Sequence, residues 1–169
     1  MKNKALFLDR DGIINVDKNY VYRIDDIEFC EGIFELVAWA NQNHYLVIVL
    51  TNQSGIERGY YTESDMLKLH EWMNQQFIDK GLRIEDWFYC KELDSDRRKP
   101  RPGMMLEAEH KYNIDLKQSI MIGDRPSDVL HLEGPEYLLV QGQYDLQSVT
   151  VKKFDQLNEV LQYLTSRFS

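Results

Sequence analysis

The chain is predicted to be an α/β protein with three layers, a doubly wound parallel sheet lying between helices. Three observations point there. Short, largely apolar runs recur at 5–8, 46–50, 87–90, 119–122 and 137–140, as expected of strands buried on both faces. Segments with apolar side chains at helical spacing separate most of them. Several runs then break into Asp, Thr, Asn or Gly at their carboxyl ends, the edge at which open α/β sheets bind ligands.

The first run ends in Asp9-Arg10-Asp11-Gly12. Two carboxylates so close repel each other unless a cation lies between them or one is protonated. The pattern suits an acidic metal site with one carboxylate free to act as a nucleophile; a solvated turn is the plainer alternative. Residues 16–31, with Asp17, Asn19, Tyr20, Tyr22 and Arg23, follow no clear period. A loop of that length beside a strand end reads as a substrate-facing flap or as a solvated connection. Ile33, Leu36, Val37 and Ala40 then mark a helix over 32–43.

The second run stops at Thr51-Asn52-Gln53-Ser54-Gly55, with Arg58 close behind. Small hydrogen-bonding residues at a strand end suit phosphate oxygens, and they are also ordinary turn chemistry. Thr62 is placed to cap the next helix, whose buried stripe is Met66, Leu69, Met73 and Phe77 and whose stop signal is Gly81. After the third run comes a charged segment closed by Arg98-Lys99-Pro100-Arg101-Pro102. It lies just ahead of a helix through Met105, Ala108 and Tyr112, so it reads as a solvated charge run or as an anion-binding helix start. The fourth run leads into Gly123-Asp124-Arg125-Pro126-Ser127-Asp128. Two strands thus bring carboxylates to one sheet edge, a layout that suits Mg²⁺. A last short strand is expected over 149–151, followed by a helix with Leu157, Val160, Leu161 and Leu164 on one face.

Composition bounds the rest. One domain spanning 1–169 is expected, since the length suits a single core and no repeat, linker or low-complexity tract interrupts the series. With 43% hydrophobic residues the chain holds enough apolar side chain for a folded interior. A formal net charge of -8 argues against nucleic acid or an anionic membrane as a partner, so an anionic substrate must be held by local basic residues. The two cysteines, Cys30 and Cys90, imply no disulfide framework. No run reaches membrane-span length and no signal-peptide pattern opens the chain, so a cytoplasmic, monomeric protein is expected.

The four pieces FLDRDG, TNQSGIERG, RKPRPGM and IGDRPSD resemble, in order, the four motifs of the haloacid dehalogenase superfamily. More narrowly they resemble the branch of heptose-bisphosphate and histidinol-phosphate phosphatases, over about Ala5 to Asp128; TNQSGIERG and the flap look more like the heptose enzymes. The resemblance implies that Asp9 attacks phosphorus and that Asp11 first protonates the leaving alcohol and then helps activate water. It implies a Mg²⁺ cofactor held by Asp9, the Asp11 carbonyl and Asp124, with Asp128 orienting a metal-bound water. Thr51 and Lys99 would contact the transferring phosphoryl group. Arg98 and the flap residues Asp17, Asn19 and Tyr20, with Asn52, Gln53 and Ser54, would recognise a phosphorylated sugar. Arg58 adds a nearby cation, and Arg125 stands where relatives often carry lysine. The implied reaction removes the C7 phosphate of D-glycero-D-manno-heptose 1,7-bisphosphate, a step toward surface glycan, with histidinol phosphate or another small phosphorylated metabolite as the alternative substrate.

Two departures stand out. Relatives carry a zinc loop patterned C-x-H and C-x-C before RKP, whereas here Cys90 is followed by Glu92, Ser95 and Arg97 at the other ligand places. No structural zinc is therefore expected, and an ion-pair network of Glu92, Asp94 and Asp96 with Arg97, Arg98 and Arg101 is predicted instead. Second, residues 129–135 look too short for the helix that relatives place there. Nor is there length for a large cap domain, so short loops must shape the site. A signalling receiver domain shares the architecture, but its acceptor aspartate follows the third strand, which here ends in Tyr89-Cys90.

Overall fold

Six strands form one parallel sheet: β1 (Lys4–Leu8), β2 (Tyr45–Asn52), β3 (Asp86–Cys90), β4 (Ile120–Gly123), β5 (Glu136–Val140) and β6 (Lys152–Phe154). A computed structural model describes residues 1–167. The strand order is β3-β2-β1-β4-β5-β6. The chain winds outward from β1 to β3 and then crosses back to β4, which makes the gap beyond β1 and β4 the topological switch point where such sheets bind ligands.

The period-two alternation of β1 explains why it reads as a solid apolar run. Leu6 and Leu8 enter one core, with Ile33 and Leu36 of α1 (Ile33–Gln42), Leu69, Met73 and Phe77 of α2 (Glu63–Asp79), and Val160 and Leu164 of α4 (Leu157–Arg167). Ala5 and Phe7 enter the other, against Met104, Met105 and Ala108 of α3 (Gly103–Tyr112). Both faces are covered from Ala5 to Leu8, so these four residues are apolar and the next polar one is Asp9, just past the strand. Helix α2 starts where predicted: Thr62 accepts a bond from the Asp65 amide at 3.0 Å, and its own amide donates to the Asp65 carboxylate at 3.0 Å.

Two expectations need adjustment. Strand β2 runs past the apolar residues through Thr51 and Asn52, which pair with Tyr89 and Cys90. The sixth strand is Lys152–Phe154 and not 149–151. It is an edge strand that buries little, with Lys152 and Lys153 exposed and Phe154 against Tyr163, so apolar content was a poor guide to it. Strands β4 and β5 are joined by a single 3-10 turn, Pro126–Asp128, and a loop, in keeping with the shortness of 129–135. Among the described residues there is no large cap over the carboxyl edge.

Candidate active site

Asp9 is the first residue beyond β1, and its amide still donates to the Ile122 carbonyl of β4 at 3.1 Å. That bond keeps its carboxylate at the switch point. There it meets Lys99, whose Nζ lies 2.8 Å from Asp9 Oδ1 and 2.6 Å from Asp128 Oδ1. All three side chains are buried. Burial first, and the neighbouring Asp128 charge second, push the Asp9 carboxyl up to about 6, against the pull of Lys99. Lys99 is itself held well above the usual lysine range: the two carboxylates outweigh the cost of burying its charge. Asn52 positions it by reciprocal bonds to its backbone, 3.1 Å to the carbonyl and 3.0 Å from the amide.

Asp124 and Asp128 follow β4. The second oxygen of Asp128 accepts from the amides of Asp124 at 3.0 Å and Arg125 at 3.3 Å. This turn is possible because Gly123 has no side chain; a Cβ there would come within 2.2 Å of Asp128. Gly12, at φ 95°, likewise leaves room for Asp124, whose Oδ2 would be 1.9 Å from a Cβ. Among the described residues, Asp9, Asp124 and Asp128 are the group of acidic, His or Cys side chains able to offer one ion three ligand atoms, all within 4.8 Å of one another. Asp124 Oδ1 is buried without a hydrogen-bond partner. Burial, then the charges of Asp9 and Asp128, push its carboxyl up to about 9. Three buried carboxylates, two of them sharing one lysine and the third with an oxygen left without a hydrogen bond, fit a divalent cation with oxygen preference.

Asp11 stands apart from that group. Its Oδ1 accepts from Arg10 Nη2 at 2.9 Å and Asn15 Nδ2 at 3.0 Å, and its Oδ2 from Gln53 Nε2 at 3.3 Å. Burial alone would raise its pKa, but the Arg10 charge and these bonds lower it below the usual carboxylate value. Gln53 also donates to Thr51 Oγ1 at 2.8 Å and accepts from the Tyr61 hydroxyl. Thr51, expected near the phosphoryl group, lies at this buried strand end beside Asp11's partner.

Above these residues opens a cavity of about 410 Å³. The residues expected to recognise the sugar line it: Asp17, Asn19 and Tyr20 from the flap, Asn52, Gln53 and Ser54 after β2, and Arg98, with the cations Arg58 and Arg125; Asp9 and Thr51, expected at the phosphoryl group, are not part of its lining. Lys99 and Asp11 form part of its wall. Arg98 Nη1 is buried with no hydrogen-bond partner, a donor suited to an anion. Four lining residues were not anticipated at the site: Tyr61, Pro100, Ser127 and Tyr144. Tyr144 joins a clasp in which Asp17 Oδ2 accepts from Arg125 Nη2 at 3.1 Å and from the Tyr144 hydroxyl at 3.2 Å, while the guanidinium lies 4.1 Å from the Tyr144 ring centre. Neither its residue type nor its place in a loop after β5 signals this.

The segment before Lys99 departs from the predicted ion-pair network. Arg101 pairs with Asp94 at 2.8 Å as expected. Arg97 instead reaches Glu107 of α3 at 2.5 Å and the Tyr89 carbonyl at 2.6 Å. Asp96 serves through its backbone, accepting from the Gly103 amide at 2.9 Å, and Glu92 sits 3.6 Å from Cys90 Sγ. Arg98 takes no part in these ion pairs and faces the cavity. The segment is tied by its own turns, by Arg97 to α3 and by Lys91 to Glu63, while Asp94 and Asp96 are exposed.

Known proteins place this geometry. The profile of the polynucleotide kinase 3 phosphatase family matches residues 6–158. A D-glycero-alpha-D-manno-heptose-1,7-bisphosphate 7-phosphatase of Campylobacter jejuni is 43% identical over 99% of both chains. The corresponding beta-heptose phosphatase of Helicobacter pylori is 46% identical over 76% of each. Among solved structures, the D,D-heptose 1,7-bisphosphate phosphatase of B. bronchiseptica, complexed with magnesium and phosphate, superposes with a TM-score of 0.84 at 26% identity, covering 97% of this chain and 99% of that one. With its acidic cluster at the β1/β4 switch point and identity of this extent along its whole length, the chain belongs to the heptose-bisphosphate phosphatase family of the haloacid dehalogenase superfamily.

Proposed function

We propose that this chain is a Mg²⁺-dependent phosphatase that removes the C7 phosphate of D-glycero-D-manno-heptose 1,7-bisphosphate through an aspartyl-phosphate on Asp9. The observation that carries the reading is Lys99 set between Asp9 and Asp128 beneath a cavity walled by Arg58, Arg98 and Arg125. Uncatalysed phosphate-monoester hydrolysis calls for accelerations of up to about 10²¹-fold. Much of the barrier is charge: a carboxylate must approach an anionic phosphate. Lys99 offsets that repulsion, and Thr51 is the further polar group assigned to the phosphoryl oxygens. When bound by Asp9, Asp124 and the Asp11 carbonyl, with Asp128 alongside, Mg²⁺ supplies further positive charge to the phosphoryl group.

At about 6, the Asp9 carboxyl is ionised at neutral pH, as a nucleophile must be. One of its oxygens bonds to phosphorus while the bond from phosphorus to the sugar oxygen breaks. The electron pair stays with that oxygen, which takes a proton from Asp11. Asp11 is ionised in the free protein and gains that proton from solvent when the negative charge of the phosphate arrives beside it. Water then attacks the same phosphorus, gives its proton to Asp11 and releases Asp9 and inorganic phosphate. Arg98, with Asp17, Asn19 and Tyr20 of the flap, reads the remote end of the sugar that keeps its C1 phosphate. Arg125 holds the flap through Asp17, and Ser54 and Asn52 complete the wall. A monomer working in the cytoplasm, without structural zinc, is part of the same reading. Among the described residues no helix is long and apolar enough to cross a membrane.

Phosphate release from both anomers of heptose 1,7-bisphosphate, histidinol phosphate and fructose 1,6-bisphosphate, compared side by side, tests the proposal. The heptose bisphosphates should lead by at least tenfold in kcat/KM. A preference for histidinol phosphate would overturn the substrate assignment and leave the chemistry standing.

A further inference from the structure

Arg10 is the residue between the two aspartates, and it follows Leu6 and Leu8 in parity. Its side chain therefore enters the α2 face of the sheet, where it is fully buried. An arginine buried there needs partners for its charge and its donors. Nη2 donates to Asp11 Oδ1 at 2.9 Å and to the Val21 carbonyl of the flap at 2.7 Å. Nη1 lies 3.1 Å from Nε2 of His70, on α2. A guanidinium has only donors, so His70 Nε2 must accept and the imidazole is neutral, its proton on Nδ1. The setting keeps it so: burial, with the Arg10 charge behind it, pushes the His70 pKa down to about 3. The ring packs on Trp87, 4.9 Å between centres. One buried cation thus ties a strand end, a flap and a helix to a single carboxylate oxygen.

The consequence lies in how that carboxylate is divided. Oδ1 accepts two good bonds, from Arg10 and Asn15, and its lone pairs are used. Oδ2 has one long contact, 3.3 Å from Gln53, and Asp11 lines the cavity. We propose that Arg10, held by neutral His70, is a positioning device that locks Oδ1 of Asp11 and leaves Oδ2 as the oxygen that hands its proton to the leaving alcohol. The inference rests on the phosphatase reading. It assigns the pair no contact with substrate: Arg10 acts through Asp11, and His70 through Arg10.

An alkyl leaving group needs that proton, whereas p-nitrophenolate leaves without it. Positioning and mere structural support therefore predict different results for Arg10→Met. If Arg10 positions the acid, kcat/KM on heptose 1,7-bisphosphate falls about 10- to 100-fold, the scale of general acid catalysis. On p-nitrophenyl phosphate the loss stays under about threefold. His70→Leu shifts the ratio in the same direction, and His70→Gln, whose amide oxygen can still accept from Nη1, recovers most of it. Circular dichroism confirms folding. Should Arg10→Met fail to fold, Arg10→Lys, which keeps the charge and loses the fork, takes its place beside the His70 pair. Equal losses on both substrates in folded variants, or a His70→Gln as impaired as His70→Leu, overturn the inference. Wild-type protein that releases phosphate from neither compound overturns the phosphatase reading instead.

Discussion

Lys99 Nζ stands 2.8 Å from Asp9 Oδ1, although 90 residues of chain separate them. The same ammonium is 2.6 Å from Asp128, so one buried cation serves two strand ends. Removing either partner of a buried pair leaves an uncompensated charge, a larger penalty than the pair's net contribution. In the proposed reaction that cation faces the arriving phosphate.

Lys99→Met should accordingly fail twice. Turnover should fall by at least about 10³-fold, since the nucleophile loses the charge that offsets its repulsion from phosphate. In chelator, stability should fall by about 3–5 kcal/mol, because Asp9 and Asp128 lose their shared partner. Urea denaturation with steady-state assays measures both. A Lys99→Met protein of unchanged stability would argue against the buried pairing.

Asp9→Asn should abolish turnover and leave the fold intact, because the side chain ends a strand and enters neither core. Asp11→Asn should be severely impaired, yet still accumulate phosphoenzyme from a substrate with an activated leaving group. Mass spectrometry of acid-quenched protein identifies the modified residue. A phosphate on any residue other than Asp9 would end this assignment.

Much of this site was legible in the chain before any coordinates, for a physical reason. Strands β1, β2 and β4 are buried on both faces, so their apolar runs stop where the ligand edge begins, and the polar residues that follow stand out. The carboxylates and Thr51 stand out this way, whereas Arg98 and Lys99 are read from a basic run set among prolines ahead of α3. Arg10 was hidden in the β1 motif because a single arginine between two aspartates says nothing of which way it points. His70 looked like one more residue of α2; its role depends on a partner 60 residues away. Tyr144 sits in a loop whose course depends on the edge strand β6, itself misplaced because an edge needs few apolar residues. Arg97 chose Glu107 over the nearby acids through the packing of α3, which charge counting cannot reveal.

Arg98 carries a test of substrate reading. Its Nη1 is buried and has no hydrogen-bond partner within the protein, so it is a donor available to an anion that enters the cavity. Binding energy from the remote end of a substrate is realised partly in the transition state. Arg98→Ala should therefore cost heptose 1,7-bisphosphate about 10²-fold in kcat/KM and p-nitrophenyl phosphate far less. Equal losses would show that Arg98 does not contact the sugar end.

Metal binding should be visible without any turnover. Mg²⁺ that binds only the folded chain raises its stability by about 2.7 kcal/mol at a hundredfold excess over Kd. Asp124→Asn removes the most strongly perturbed carboxylate of the group. The variant should be at least as stable as wild type in chelator and should lose most of the Mg²⁺-dependent rise in Tm. A full rise in Asp124→Asn would place the ion elsewhere.

The Arg10–His70 pair also makes a prediction about acid. His70 has an ordinary value of 6.5 when unfolded and is pushed down to about 3 in the fold, by burial first and the Arg10 charge second. Below 6.5 the unfolded chain takes up a proton that the folded chain refuses, so acid favours unfolding. The contribution to stability is complete above 6.5 and is lost progressively as pH falls toward 3. Between pH 7.5 and pH 5 the loss from this group is about 2 kcal/mol. Buried carboxylates titrate over part of the same range, so wild type alone is ambiguous. His70→Gln keeps those carboxylates and cannot take the proton. Urea denaturation of both metal-free proteins across that range should show wild type losing more stability than the variant, by about that amount. Parallel pH profiles would mean that His70 is protonated in the fold, and Nε2 could not then accept from Arg10.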